Sequence, residues 1–177
     1  NVVIHRLPKM MEREWHAQCA ELNGKELEAS PRYNLMVPAS ACPSCARPIK
    51  AAENIPILSW LALGAKCKGC KAPISMRYPL VELVTAILAG AAVYKFGWNV
   101  KGGAAFVFLY ALLVLTFIDA DTQLLPDQIT LPLVWLGLIV NYFGLFVDLP
   151  TALWGAVVGY LILWSIYWLF KLITGKE

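Results

Sequence analysis

The sequence predicts an all-α polytopic membrane protein with four full transmembrane helices, the end of an earlier one, and a small cytoplasmic zinc-knuckle domain. Three observations carry that expectation. Of the 177 residues, 59% are hydrophobic and 15% are charged, which leaves a soluble domain too little charge to cover its surface. The apolar residues gather in four runs that approach or reach the ~20 residues a helix needs to cross hydrocarbon. Four of the five cysteines fall into two C-x-x-C pairs, 42–45 and 67–70.

Taken in order, the first element is residues 1–40. NVVIHRLP reads as the last turn of a helix whose earlier part is missing, and HRLPKMMEREW is basic and amphipathic enough to lie along a membrane surface. The loop ELNGKELEASPRYNLMVPAS follows, punctuated by Gly and Pro. Without an initiator Met, and with Glu177 closing a polar TGKE, the chain is expected to be an internal piece of a longer protein. Residues 41–77 are the cysteine module.

Residues 78–177 are the membrane core. The expected spans are 78–97, where only Glu82 and Lys95 are charged, then 102–118, 129–147 and 149–170, all without charge. Their links are GWNVKG, DADTQLLPDQ and DLP. Eleven of the 15 Lys and Arg residues lie in residues 1–77, and only Lys95, Lys101, Lys171 and Lys176 follow. The positive-inside rule therefore places residues 1–77 in the cytoplasm. Anionic lipid accounts for this basic block, so the net charge of +3 calls for no nucleic acid. Alternating the spans from that side brings Asp119, Asp121, Asp127 and Glu177 to the cytoplasmic boundary.

The cysteine pairs repeat each other beyond their sulfurs. CPSCARPI and CKGCKAPI both read C-x-x-C-x-x-P-I, with 21 residues between the pairs. Each C-x-x-C can present two thiolates to one metal, and the separation is near that of a four-cysteine zinc site. The competing readings are two disulfides or reduced structural thiols. A cytoplasmic module disfavours disulfides, and ordinary thiols have no reason to repeat as paired knuckles. Cys42, Cys45, Cys67 and Cys70 are thus expected to bind Zn2+ in a closed, structural site that supplies much of the module's folding energy. Cys19 has no partner and no expected role.

Three carboxylates crowd FIDADTQLLPDQ. Asp127, after Pro126, suits a helix N-cap. Asp121 reads as a solvated residue of a polar turn with Thr122 and Gln123. Asp119 differs, being the first polar residue after the apolar run, and ionisable residues at the edge of hydrocarbon are functional hypotheses by default. An aspartyl peptidase needs two carboxylates that share a proton. Asp119 and Asp121 would point apart on a continuing helix, so a partner for Asp119 is expected from another segment. Glu82, inside the first full span, is expected to be a buried, hydrogen-bonded or helix-pairing residue.

FIDADTQLLPDQITLPLVWLGL closely resembles the first catalytic motif of the bacterial type IV prepilin peptidases, polytopic aspartyl proteases that also N-methylate the new terminus. NVVIHRLP resembles the end of that family's first helix. The paired C-x-x-C module, with ENIPILSWL between the pairs, resembles its cytoplasmic zinc domain, and ISMRYPLVELVTA the start of its second helix. The family's first aspartate is followed at fixed distance by an aliphatic residue, Pro, then Asp or Asn. Leu125-Pro126-Asp127 occupies that trio, which aligns Asp119 with the catalytic acid. Cys42, Cys45, Cys67 and Cys70 match the metal ligands of zinc-containing members.

The resemblance implies cleavage of the basic leader from prepilins or pseudopilins at the bacterial inner membrane. It also implies methylation of the new N-terminus with S-adenosylmethionine as donor. No glycine-rich nucleotide loop stands in the chain, so no residue is named for that cofactor. The family's second aspartate lies in a Gly-x-Gly-Asp motif that this sequence lacks. The chain alone is therefore expected to be inactive. Two other classes compete. A zinc-knuckle membrane scaffold docking cytoplasmic partners would need its cysteines but not its aspartates. A proton or cation transporter would hold its acids near the bilayer midplane and show repeated spans, whereas these acids stand at the edge.

Overall fold

The computed structural model describes residues 1–24, 32–50, 53, 55 and 57–175. Part of the expected loop 21–40, four residues of the stretch between the cysteine pairs, and Lys176 and Glu177 lie outside the described residues. Within them the chain forms helices α1 (Val2–Leu22), α2 (Leu58–Ala62), α3 (Arg77–Phe96), α4 (Val100–Thr122), α5 (Asp127–Tyr142) and α6 (Leu149–Thr174). Two isolated antiparallel bridges are the only extended pairing among the described residues.

At the N-terminus α1 is one 21-residue helix with Pro8 in its interior, running well beyond the last turn expected from NVVIHRLP. A proline there removes one intrahelical hydrogen bond. The helix continues because Ile4 and Leu7 are buried in a cluster with Val81 of α3 and Val114 and Ile118 of α4. Arg6 is also buried, and its guanidinium donates to the carbonyls of Asn34 (3.0 Å) and Pro38 (2.5 Å). That pair of bonds straps the segment after the loop back onto α1.

Helices α3, α4 and α6 are long and apolar enough to cross a membrane, by length and composition. The fourth expected span forms α5, which runs 16 residues and contains Pro132. It stops short of 147 because Asn141 turns the chain: its side-chain oxygen accepts from the backbone N–H groups of Phe146 (3.3 Å) and Val147 (3.2 Å), and Gly144 takes φ +66°. Between α3 and α4 the turn is tight. Asn99 caps α4 by accepting from Gly102 N–H at 3.1 Å, and a side chain at Gly102 would collide with the Gly97 carbonyl.

Helix α4 packs on α1, α3 and α5, and α6 on α5. No residue of α6 is buried, and Trp154, Tyr160 and Trp164 stand on its open surface. At the acid end of the bundle Ile118 is completely buried and Pro126 nearly so.

Candidate functional site

The two cysteine knuckles fold as the repeat in sequence requires. Cys42 N–H donates to Arg47 O (2.9 Å) and Ala46 N–H returns to Cys42 O (2.9 Å); Cys67 and Ala72, then Lys71 and Cys67, do the same at 2.8 and 3.0 Å. Bridges Ala41–Pro48 and Lys66–Pro73 close the two hairpins. The residue after each second cysteine, Ala46 or Lys71, takes positive φ, 54° and 61°. That left-handed turn points the knuckle's backbone N–H groups at its first sulfur.

The four Sγ atoms of Cys42, Cys45, Cys67 and Cys70 lie within 4.8 Å of one another, and the Cys42–Cys70 pair is 3.8 Å apart. All five cysteines are free thiols, and a disulfide would need its sulfurs about 2.05 Å apart. A tetrahedral thiolate site with metal–sulfur bonds of about 2.3 Å has edges of about 3.8 Å. The cluster therefore has metal-binding geometry. Cys19 takes no part in it, as expected.

The electrostatics fit a cation. Backbone N–H groups of Ser44 and Cys45 draw the Cys42 thiol down to about 6, and those of Cys70 and Gly69 lower Cys67. Cys70 accepts from Ala72 N–H, which favours its thiolate. Partial desolvation and the crowding of Cys45, Cys42 and Cys67 outweigh that bond and lift Cys70 to about 11. Four thiolates cannot share this space without a positive charge between them. Around the cluster, Arg47 bonds Glu53 at 2.7 Å, which holds that carboxyl below its usual range.

The acids are placed differently from the sequence expectation in three respects. Helix α4 does not stop at 118 but runs through Asp119, Asp121 and Thr122, with Gln123 as its C-cap. Asp121 is not a solvated turn residue. Both its carboxylate oxygens accept from Arg77 of α3, at 2.8 and 2.5 Å. Asp127 is not the N-cap of α5 either; Pro126 holds that position in extended backbone, and Asp127 is the first helical residue. There it still faces the positive end of the helix dipole.

Asp119 is exposed one residue beyond the fully buried Ile118. Among the described residues its carboxylate has no hydrogen-bond or ion-pair partner. At about 100° per residue, Asp119 and Asp121 stand about 200° apart around α4. One acid is therefore turned to α3 and consumed by a guanidinium, and the other is left free.

The sequence reading of Glu82 holds. It is half-buried and accepts from the side chain of Asn1 (3.4 Å) and the backbone N–H of Ile57 (2.8 Å), tying α3 to α1 and to the start of α2. Arg77 escaped that reading. It opens α3, its guanidinium also faces the Phe117 ring at 5.2 Å, and its partner lies 44 residues away. No local pattern announces such a pair. Because Arg77 starts α3 and Asp121 ends α4, the cysteine module and the acids share one end of the bundle. A cavity of about 630 Å³ lies between module and helices, with Arg6, Trp60, Ile74, Tyr78 and Glu82 among its walls.

Comparison with known proteins gives concordant matches. Residues 1–96 match the family described as the bacterial peptidase A24 N-terminal domain, and residues 106–175 match the type IV leader peptidase family. A protein of Pseudomonas aeruginosa named prepilin leader peptidase/N-methyltransferase is 58% identical over 178 residues, covering all of this chain and 61% of that protein. Relatives of the same name from Stutzerimonas stutzeri and Aeromonas hydrophila are 57% and 56% identical, again over the whole chain and 62% of each relative. The chain thus spans about three fifths of the curated relatives it matches. No solved structure matches it.

Proposed function

The chain belongs to the type IV leader peptidase family, and from that premise we propose that it carries the first catalytic aspartate, Asp119, of a membrane aspartyl peptidase. The enzyme cuts the basic leader from prepilins or pseudopilins at the cytoplasmic face of the bacterial inner membrane. Residues 1–77 stand in the cytoplasm, where the concentration of Lys and Arg favours them.

The single observation that carries the assignment is the division of labour between the two acids of α4. Asp121 is committed to Arg77, whereas Asp119 is exposed and free at the edge of the packed core. Peptide hydrolysis by aspartates uses one carboxylate to take a proton from water and a protonated partner to donate to the scissile amide. Asp119 fills one of these roles. Its partner is assigned to the part of the full-length relatives that this chain does not span. A substrate whose apolar helix lies in the bilayer presents its leader at this edge, so the membrane supplies much of the orientation.

Cys42, Cys45, Cys67 and Cys70 hold Zn2+ in a closed site with no open coordination position, which makes the metal structural. The names of the relatives support methylation of the new N-terminus, with S-adenosylmethionine as donor; no residue is assigned to that step.

The test is cleavage of a purified prepilin by a chimera in which this chain replaces the matching residues of the Pseudomonas aeruginosa relative. Asp119→Asn abolishes the shortened product, while Asp121→Asn retains residual cleavage. A chimera that still cuts with Asn at 119 removes the peptidase role from Asp119 and moves the scaffold reading ahead.

A further inference from the structure

Resting on the assignment of Asp119 above, we infer that Arg77 and Asp121 are positioning residues that fix the orientation of Asp119 for the reaction. Asp119 lies in the closing turn of α4. Gln123 donates its N–H to the Asp119 carbonyl at 2.7 Å while holding φ at 53°, in the left-handed region that a residue with a side chain disfavours. Terminal helical turns fray, and this one ends in an unfavourable cap. The backbone of Asp119 therefore needs an anchor from outside its own helix.

Arg77 is that anchor. Its planar fork grips both oxygens of Asp121, and its Cζ lies 5.2 Å from the centre of the Phe117 ring. Two parallel N–H···O bonds define an orientation as well as a distance. The Asp121 side chain thereby sets the rotation of α4's last turn, and Asp119 faces the opposite side. Arg77 is itself held: its backbone N–H donates to Ser75 Oγ at 3.2 Å, and Ile74 is tied by its N–H to Ala65 O (2.7 Å) and by its carbonyl to Trp60 Nε1 (3.1 Å). The clamp is thus referred back to the second cysteine knuckle. Besides this pair, His5 of α1 interacts electrostatically with both Arg77 and Asp121.

The pair is suited to direction more than to holding the protein together. Both side chains are about 40% exposed (40% and 39%), and exposed ion pairs add little to global stability. Loss of the clamp is therefore read in turnover rather than in unfolding.

The chimera described above tests this, with turnover, KM and thermal unfolding measured on a prepilin substrate. Arg77→Ala and Asp121→Asn each lower kcat by about 10- to 100-fold, the cost of misplacing a reacting group by ~1 Å, with KM and unfolding temperature unchanged. The double variant is no slower than either single one. Arg77→Lys, which keeps the charge but not the fork, falls between, and the exchanged pair Arg77→Asp/Asp121→Arg recovers part of the rate. The inference is overturned if Arg77→Ala turns over at the parental rate, if the two losses multiply, or if the rate falls only in step with unfolding temperature. Asp119→Asn in the same chimera separates the two readings. Cleavage that survives it sinks the peptidase assignment. Cleavage lost there but untouched by Arg77→Ala sinks the positioning role alone.

Discussion

Replacing Cys45 with Ser is the most direct perturbation of the candidate metal centre, because it deletes one sulfur from a cluster whose four members lie within 4.8 Å of one another. With metal–sulfur bonds of about 2.3 Å the tetrahedral edge is about 3.8 Å, and the observed Cys42–Cys70 separation of 3.8 Å matches that length without rearrangement. Preorganisation of this kind means that each ligand contributes its full share. Structural zinc in small four-ligand sites binds with roughly 10–16 kcal/mol in total. One ligand in four then corresponds to on the order of 10²–10³-fold in affinity. The assay is competition for Zn2+ between the detergent-purified protein and a chromophoric chelator, comparing the parent with Cys45→Ser and with Cys19→Ser. The first variant is expected to release its metal 10²–10³-fold more readily. The second is expected to match the parent, because Cys19 stands outside the cluster. Parental affinity in Cys45→Ser, or loss of metal in Cys19→Ser, would refute the four-sulfur assignment.

Two further outcomes follow from the same structure. Metal uptake at neutral pH must displace a proton from Cys70, whose thiol is lifted to about 11, whereas Cys42, at about 6, is already thiolate; affinity therefore rises with pH, and calorimetry in buffers of different ionisation enthalpy should show proton release. No buffer dependence would contradict this. Ile118→Ala empties the most completely buried side chain of the bundle and should destabilise it by about 2–5 kcal/mol, toward the lower end because the lipid-side reference is itself apolar. Tyr160→Ala on the open face of α6 is the control, and equal losses for the two in a reversible denaturant titration would count against the packing described.

Three of the long helices and the convergence of four cysteine sulfurs are legible in the amino-acid sequence. These properties are written in local terms. Apolar run length marks α3, α4 and α6, and the C-x-x-C-x-x-P-I repeat forces two matching knuckles whose sulfurs converge. Asp119 is singled out by the resemblance to the prepilin peptidases, through Leu125-Pro126-Asp127, rather than by a local pattern. Boundaries were less legible. Helix α4 continues past Asp119 because Arg77 anchors its closing turn at Asp121, and α1 continues through Pro8 because burial of Ile4 and Leu7 outweighs one missing hydrogen bond. Both depend on contacts with other helices, which periodicity does not encode.

What Asp121 does is set by the packing of helices far apart in the chain. In the sequence it is a polar residue beside another, and nothing local distinguishes a solvated carboxylate from a paired one. The decision is made by a guanidinium 44 residues away, brought within reach because α3 and α4 pack antiparallel around Val81, Val114 and Ile118. A hydrogen bond falls off within a few tenths of an ångström. Such pairings follow from where helices finally rest, and that is settled by packing over the whole bundle.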